Sequence, residues 1–265
     1  MTGMAEHGAT DTSINPVNAD AHGRSGSRPP PGRHDTPCCS RRDFGLYRLL
    51  AWSSPSFPIG AFSYSHGLEA ETESRAIHDR TSLQAWIATV VVHGSGRIDA
   101  DILRDAHRAA DAGDVTALSA ANHRGLAYRA TAELALETSA QGKAFLATCC
   151  TAWPDELLER WAATGEVVCY PAAVGAATAR AGIPLGDALI ACLQAMASNL
   201  VSAGMRLGII GQTDGQRIVA ALEPLVIAAA WAAMSRNPAD FGGATLAVDL
   251  ASMAHETQYT RLFRS

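Results

Sequence analysis

The sequence predicts an all-α fold, and three observations carry that expectation. From Phe44 onward the chain is rich in alanine and leucine, which lose little rotamer freedom in a helix. Apolar residues recur at helical spacing, as in Leu83, Trp86, Ile87 and Val90, at i, i+3, i+4 and i+7, the stripe an amphipathic helix buries. Alternating runs of β-branched residues are few and no fixed-period repeat recurs, which sets aside a sheet protein and a solenoid. A single globular domain of roughly ten helices is expected over residues 44–265, behind a disordered tail over 1–43.

The tail is rich in Pro, Gly, Ser, Asp and Arg, with Ile14 and Val17 almost its only aliphatic residues apart from alanine and methionine. It cannot bury enough surface to offset an ordering entropy of roughly 1–2 kcal/mol per residue. Its five arginines balance its five carboxylates, so the formal charge of −5 falls on the domain. The first clear helix carries the Leu83–Val90 stripe, and Thr81 and Gln84 have the spacing of a capping box. Ile98, Ile102, Leu103 and Ala106 start a second helix. A short helix over Val115–His123 and a longer one over Arg129–Cys150 follow, the latter with Leu134, Phe145 and Leu146 toward the core. After Pro154, Asp155–Trp161 forms a short helix whose acidic start suits the positive end of the helix dipole.

Tyr170–Ala181, YPAAVGAATARA, is a helix of small residues that lets a neighbouring backbone come close. Pro184 suits the first turn of the next helix, which runs to Gly208, because a first-turn N–H has no intrahelical partner. Thr213 and Gln216 give a second capping-box spacing, opening a helix that reaches Ala233 with a bend at Pro224. Leu246–His255 is the last helix, after loops at Asn237-Pro238 and Gly242-Gly243.

Composition excludes several functions. Hydrophobic residues are 48% and charged residues 18%, which is globular. A negative net charge argues against a nucleic-acid partner or an anionic membrane surface, because both need clustered cations. Lys143 is the only lysine, so lysine-based catalysis has a single candidate. The six cysteines, at 38, 39, 149, 150, 169 and 192, show neither CxxC nor zinc spacing and read as free thiols in a reducing compartment. Of the adjacent pair Cys149-Cys150, helical geometry buries one and leaves the other half-exposed. The N-terminus lacks the apolar core of a secretory signal, and Ala188–Met205 is interrupted by Gln194, Ser198, Asn199 and Ser202. A cytoplasmic protein is expected, with no membrane span.

Motifs for chemistry are scarce. Nine histidines give no HxH and no pair at i, i+4, so no helix offers a two-histidine metal clamp. His66, Glu69 and Glu73 would share a helix face as ligands, but no second cluster completes a coordination sphere; a solvated or partner-facing patch is the alternative. Gly142-Lys143 lacks the spacing of a phosphate loop, no GxSxG elbow is present, and Asp99 and Asp101 read as ordinary first-turn residues. No cofactor is implied. A helical enzyme or metal-binding protein would need a site assembled from dispersed residues.

Three segments are unusual in another way. Trp52–Glu69 crowds aromatics, prolines and glycines into a loop that holds Phe57, Phe62, Tyr64 and His66 in a set geometry, either capping the core or forming a binding surface. Asn199 and Arg206 lie in an apolar helix and need partners. The C-terminal segment 255–265, HETQYTRLFRS, carries Tyr259, Arg261, Leu262 and Phe263, residue types that dominate interface hot spots. It reads as a docking peptide, or as a tail packed back on the domain.

Read in order, FPIGAFSYSHGLE, the YPAAVGAA run, GIPL, the SNLVSAGMRL and GQTDGQR pair and the terminal HETQYTRLFRS resemble the UreF family of urease accessory proteins. The likeness runs from Leu46 to Ser265 and is weakest between Gly113 and Thr164, where Gln141-Gly142 and Ala144-Phe145-Leu146 carry it. The resemblance implies an all-helical, non-enzymatic scaffold that forms a homodimer and bridges UreD (also called UreH) and the GTPase UreG. That assembly would act on apo-urease, with GTP hydrolysis coupled to nickel insertion. It further implies that Arg261 recruits the GTPase and that Tyr259, Leu262 and Phe263 anchor a tail which orders on partner binding. Phe62, Tyr64, His66 and Glu69 complete the implied partner-binding set. Phe62 stands where some members carry Tyr, so any hydrogen bond from that hydroxyl is absent here.

Overall fold

Helix α1 (Arg41–Trp52) starts inside the segment expected to be disordered. Ser40 caps it, accepting from the Asp43 N–H, while the Asp43 carboxylate accepts from the Ser40 N–H at 2.8 Å. These bonds from Ser40 hold the Asp43 carboxyl below its usual range. A reciprocal box satisfies two orphan donors, which is why order begins before Phe44. The computed structural model describes residues 40–264; the expectation for residues 1–39, with Cys38-Cys39, lies outside them.

The described residues contain eleven α-helices, two short 3₁₀ turns and no strand, the all-α fold expected. After α1 come α2 (Leu68–Glu73), α3 (Arg80–His93), α4 (Ser95–Asp111), α5 (Val115–Ala127) and α6 (Ala132–Ala152). Then follow α7 (Glu156–Ala162), α8 (Tyr170–Arg180), α9 (Leu185–Arg206), α10 (Gln212–Ser235) and α11 (Leu246–Glu256). Both predicted capping boxes are displaced. Asp79 caps α3 and Ser82 reaches back to it, since a carboxylate two residues earlier is a stronger acceptor for the helix dipole than the Thr81 hydroxyl. Gly211 precedes α10 with no side-chain cap; Thr213 lies within the first turn, and Asp214 pairs with Arg217 instead. The helix continues through Pro224 to Ser235. Asp155 and Thr131 are caps just outside α7 and α6.

Helix α8 is the centre. Its residues Pro171–Ala179 are all buried, and α4, α5, α6 and α9 pack around it. Small side chains make this possible: a Cβ at Gly175 would stand 2.4 Å from the Leu103 carbonyl oxygen of α4, so anything larger than glycine pushes the two backbones apart. Helices α9 and α10 are long and apolar enough to span a membrane by length and composition. Each instead buries a face in this domain, α9 through Leu189, Leu193, Leu200 and Val201 and α10 through Ile218, Leu222, Val226 and Ala230. Cys149 is buried and Cys150 partly so, as the helical geometry of the pair predicts.

Charge is buried here as well. The Arg104 side chain is 2% exposed, and its Nη1 donates to the carbonyls of Ala233 (2.7 Å) and Arg236 (3.3 Å) at the end of α10. Asp101 and Asp105 hold the same guanidinium, and Arg236 returns to Asp101 at 2.6 Å. The reading of Asp99 and Asp101 as ordinary first-turn residues is therefore corrected: both are buried, Asp99 against Arg129 at 2.7 Å. Distant cations, invisible in a local window, draw them inward.

Candidate functional site

The loop from Ser53 to Gly67 divides its aromatics between core and surface. Phe57 packs on Phe145 with centroids 5.2 Å apart, and Trp52 meets Phe145 and Trp153 edge-on. Tyr64 is buried, and its carbonyl accepts from Asn199 Nδ2 at 3.3 Å, giving Asn199 its partner. Phe62 is 65% exposed. The chain then passes through the left-handed region at His66 and Gly67, φ 53° and 75°, before α2 begins. A Cβ at Gly67 would stand 2.7 Å from the Ser252 amide of α11, so glycine satisfies both the φ and the close approach.

His66 therefore precedes α2 and does not share a helix face with Glu69. Its ring lies between Ser95 Oγ (3.2 Å) and Glu137 Oε1 (3.1 Å). Burial alone would lower its pKa, but the Glu137 carboxylate outweighs that and holds it above the ordinary histidine value. Glu69 turns the other way, toward the C-terminus.

There α11 inserts His255, fully buried. Its Nδ1 lies 2.9 Å from Glu133 Oε2 and its Nε2 lies 3.0 Å from Glu69 Oε2. The tail closes over this triad. The amides of Leu262 and Phe263 donate to Glu69 at 2.7 and 2.9 Å, Arg264 N–H donates to the Ser63 carbonyl at 2.7 Å, and Arg261 Nη1 pairs with Glu133 at 3.1 Å. Phe263 is buried, with the Arg206 guanidinium 4.3 Å above its ring centroid, a cation–π contact that gives Arg206 its partner.

The predicted site residues thus fall into two groups. Tyr64, His66, Glu69 and Phe263 are buried, Glu69 and Phe263 in the dock and His66 on Ser95 and Glu137, whereas Phe62, Tyr259 and Leu262 are exposed and the Arg261 side chain is 41% exposed. The tail expected to order on partner binding is already seated on its own domain, because Glu69 supplies both backbone amides with a carboxylate. Sequence reading missed Glu133 and Glu137. Two carboxylates one helical turn apart on a face shared with Leu134 are the available signal, since buried acids require donors.

Beside the dock, the Trp52–Phe62 loop, α6 and α9 enclose a cavity of about 270 Å³. Its polar wall carries His66, Glu137, Asp99 and Arg129, paired with one another, and Cys192. Burial pushes the Cys192 thiol up to about 12, which disfavours a free thiolate there. Among the described residues, no group of three or more His, Cys, Asp or Glu side chains is arranged to hold a metal ion.

Fold and site together define an all-α protein whose most developed constellation holds a peptide, its own C-terminus, and presents side chains around it. The UreF family profile matches residues 77–223. Along most of its length the chain is similar to urease accessory proteins UreF: 47% identical over 242 residues to that of Rhodopseudomonas palustris strain BisB5, covering 91% of this chain and 100% of the relative. Identity is 49% over 220 residues with the Bradyrhizobium strain ORS 278 protein (83% and 92% covered) and 47% over 230 with that of Granulibacter bethesdensis (86% and 98%). The chain belongs to the UreF family of urease accessory proteins.

Proposed function

We propose that this protein is a non-catalytic cytoplasmic scaffold that bridges UreD (UreH) and UreG, as a homodimer within the complex, and regulates GTP-dependent nickel insertion into apo-urease. Nickel is the cargo of that assembly. The observation that carries the reading is the seated tail: buried Glu69, His255 and Phe263 fix a short peptide so that Leu262 and Tyr259 face outward and the Arg261 side chain, paired with Glu133, stays 41% exposed. Planar guanidinium and aromatic groups held in one geometry suit recognition by a protein surface. Further apolar side chains stand in solvent, Ile227 and Trp231 on α10 and Leu246 and Leu250 on α11, the kind of area that protein partners cover.

Arg261→Ala tests it. Capture of UreG by the purified complex of UreD with this protein should weaken by about 2 kcal/mol or more, with helical content unchanged by circular dichroism. Undiminished capture overturns the assignment of Arg261. Titration of the isolated chain with nickel separates a scaffold from a metal-storage protein, since tight stoichiometric binding favours the latter.

A further inference from the structure

His255 differs from His66 in what its ring faces. His66 has a hydroxyl on one side, Ser95 Oγ, which donates to a bare ring nitrogen or accepts from a protonated one. His255 has a carboxylate on each side, Glu133 on Nδ1 and Glu69 on Nε2, at 2.9 and 3.0 Å. A neutral imidazole has one N–H and one bare nitrogen, and an ionised carboxylate only accepts. One of the two contacts would then set lone pair against lone pair in a site closed to water, at the price of an unsatisfied buried acceptor. Both contacts hold when both ring nitrogens carry hydrogen.

We propose that the seated C-terminus is a proton-linked latch: an imidazolium at His255, clamped between Glu69 and Glu133, holds the tail, and loss of its proton loosens it.

The charged groups facing His255 are Glu69 from α2 and Glu133 from α6, with Arg261 of the tail on Glu133. On its own helix Glu256 turns to the Ala132 amide, at 3.0 Å. One turn along α6 from Glu133, Glu137 pairs with His66. The coupling to the tail runs through Glu69, whose two oxygens serve His255 and the amides of Leu262 and Phe263 together. When Nε2 or Nδ1 becomes bare, the facing carboxylate turns away from it. A turn by Glu69 withdraws the acceptor from both amides, and a turn by Glu133 withdraws it from Arg261. Docking therefore takes up a proton, and by linkage it weakens as pH rises. This inference goes beyond the scaffold reading and stands without it, because the latch is measured on the chain alone.

Hydrogen exchange of the Leu262 and Phe263 amides in the full chain, across the histidine range from about pH 5 to 8, tests the latch. After correction for intrinsic exchange, protection should fall with pH, by as much as about tenfold per unit, while helical circular dichroism stays constant. Glu133→Gln is the informative variant. Its carboxamide can donate to a bare Nδ1 and still accept from Arg261, so a neutral His255 suffices and protection should become flat with pH. A purely structural role for Glu133 would lower protection and leave its pH profile unchanged. Flat protection in the wild type, or a variant profile parallel to it, overturns the proposal. Should the variant not fold, the ¹⁵N shifts of the wild-type His255 ring decide: two protonated nitrogens at neutral pH support the latch, and one bare nitrogen overturns it.

Discussion

The Arg104 cluster and the His255 cluster are both buried, both join elements far apart in sequence, and both use side chains that cores normally exclude. They differ in the group at the centre. Arg104 keeps its charge at any pH a protein meets, and it ties two helices through Asp101, Asp105 and the carbonyls closing α10. His255 stands between the Glu69 and Glu133 carboxylates, and it ties a short peptide whose neighbours Tyr259 and Leu262 stand in solvent. A permanent cation suits a joint that never opens. A histidine between two acids holds a segment that carries its side chains into solvent.

The contrast can be broken at several strengths. Arg104→Ala should be the most damaging change, since it removes a buried guanidinium from Asp101, Asp105 and the Ala233 carbonyl at once and leaves Arg236 as the remaining partner of Asp101. A loss of about 3–5 kcal/mol in urea unfolding is expected, with the tail still protected in whatever fraction remains folded. Glu69→Ala should reverse the pattern: global stability falls by about 1–3 kcal/mol, and protection of the Leu262 and Phe263 amides disappears. Thr131→Ala removes the cap of α6, whose Oγ accepts from the Leu134 N–H at 3.1 Å and meets Ser252 Oγ at 2.8 Å. Thermal unfolding should show about 1 kcal/mol lost.

A smaller effect sharpens the role of pH. Because His66 is held above its ordinary value by Glu137, its stabilisation is fully present below that ordinary value and is lost as pH rises through the elevated one. The stability difference between wild type and His66→Asn should therefore narrow above neutral pH, and a difference that widens would contradict the pairing. Least of all, Arg261→Ala should change fold stability by about 1 kcal/mol or less, since a half-exposed ion pair contributes little. Arg261 thus separates from Glu69, whose carboxylate holds the tail amides.

Much of this molecule is legible in its residues. The stripe through Leu83, Ile87 and Val90, the small residues of α8 and the apolar run of α9 report their own helices, because helical burial repeats every few residues along one chain segment. The cap of α3 lies at Asp79, two residues before the expected Thr81, for a local reason: several hydroxyls and carboxylates compete for the same orphan amides. The candidate site is harder. Phe62, Tyr259, Arg261 and Leu262 stand out in sequence as contact residues, and the structure leaves them exposed to varying degrees. Tyr64, His66, Glu69 and Phe263 have the same composition but the opposite placement.

By itself, the sequence determined an all-α domain, its helices and the segments out of keeping with a plain core. Only the tertiary structure decided that Glu69, Glu133 and His255 meet, that Arg206 covers Phe263, and that the C-terminus is seated rather than loose. Helix formation depends on neighbours within a turn or two. A buried charge depends on whichever distant partner desolvation forces it to find, and that choice is made when α2, α6 and α11 pack together.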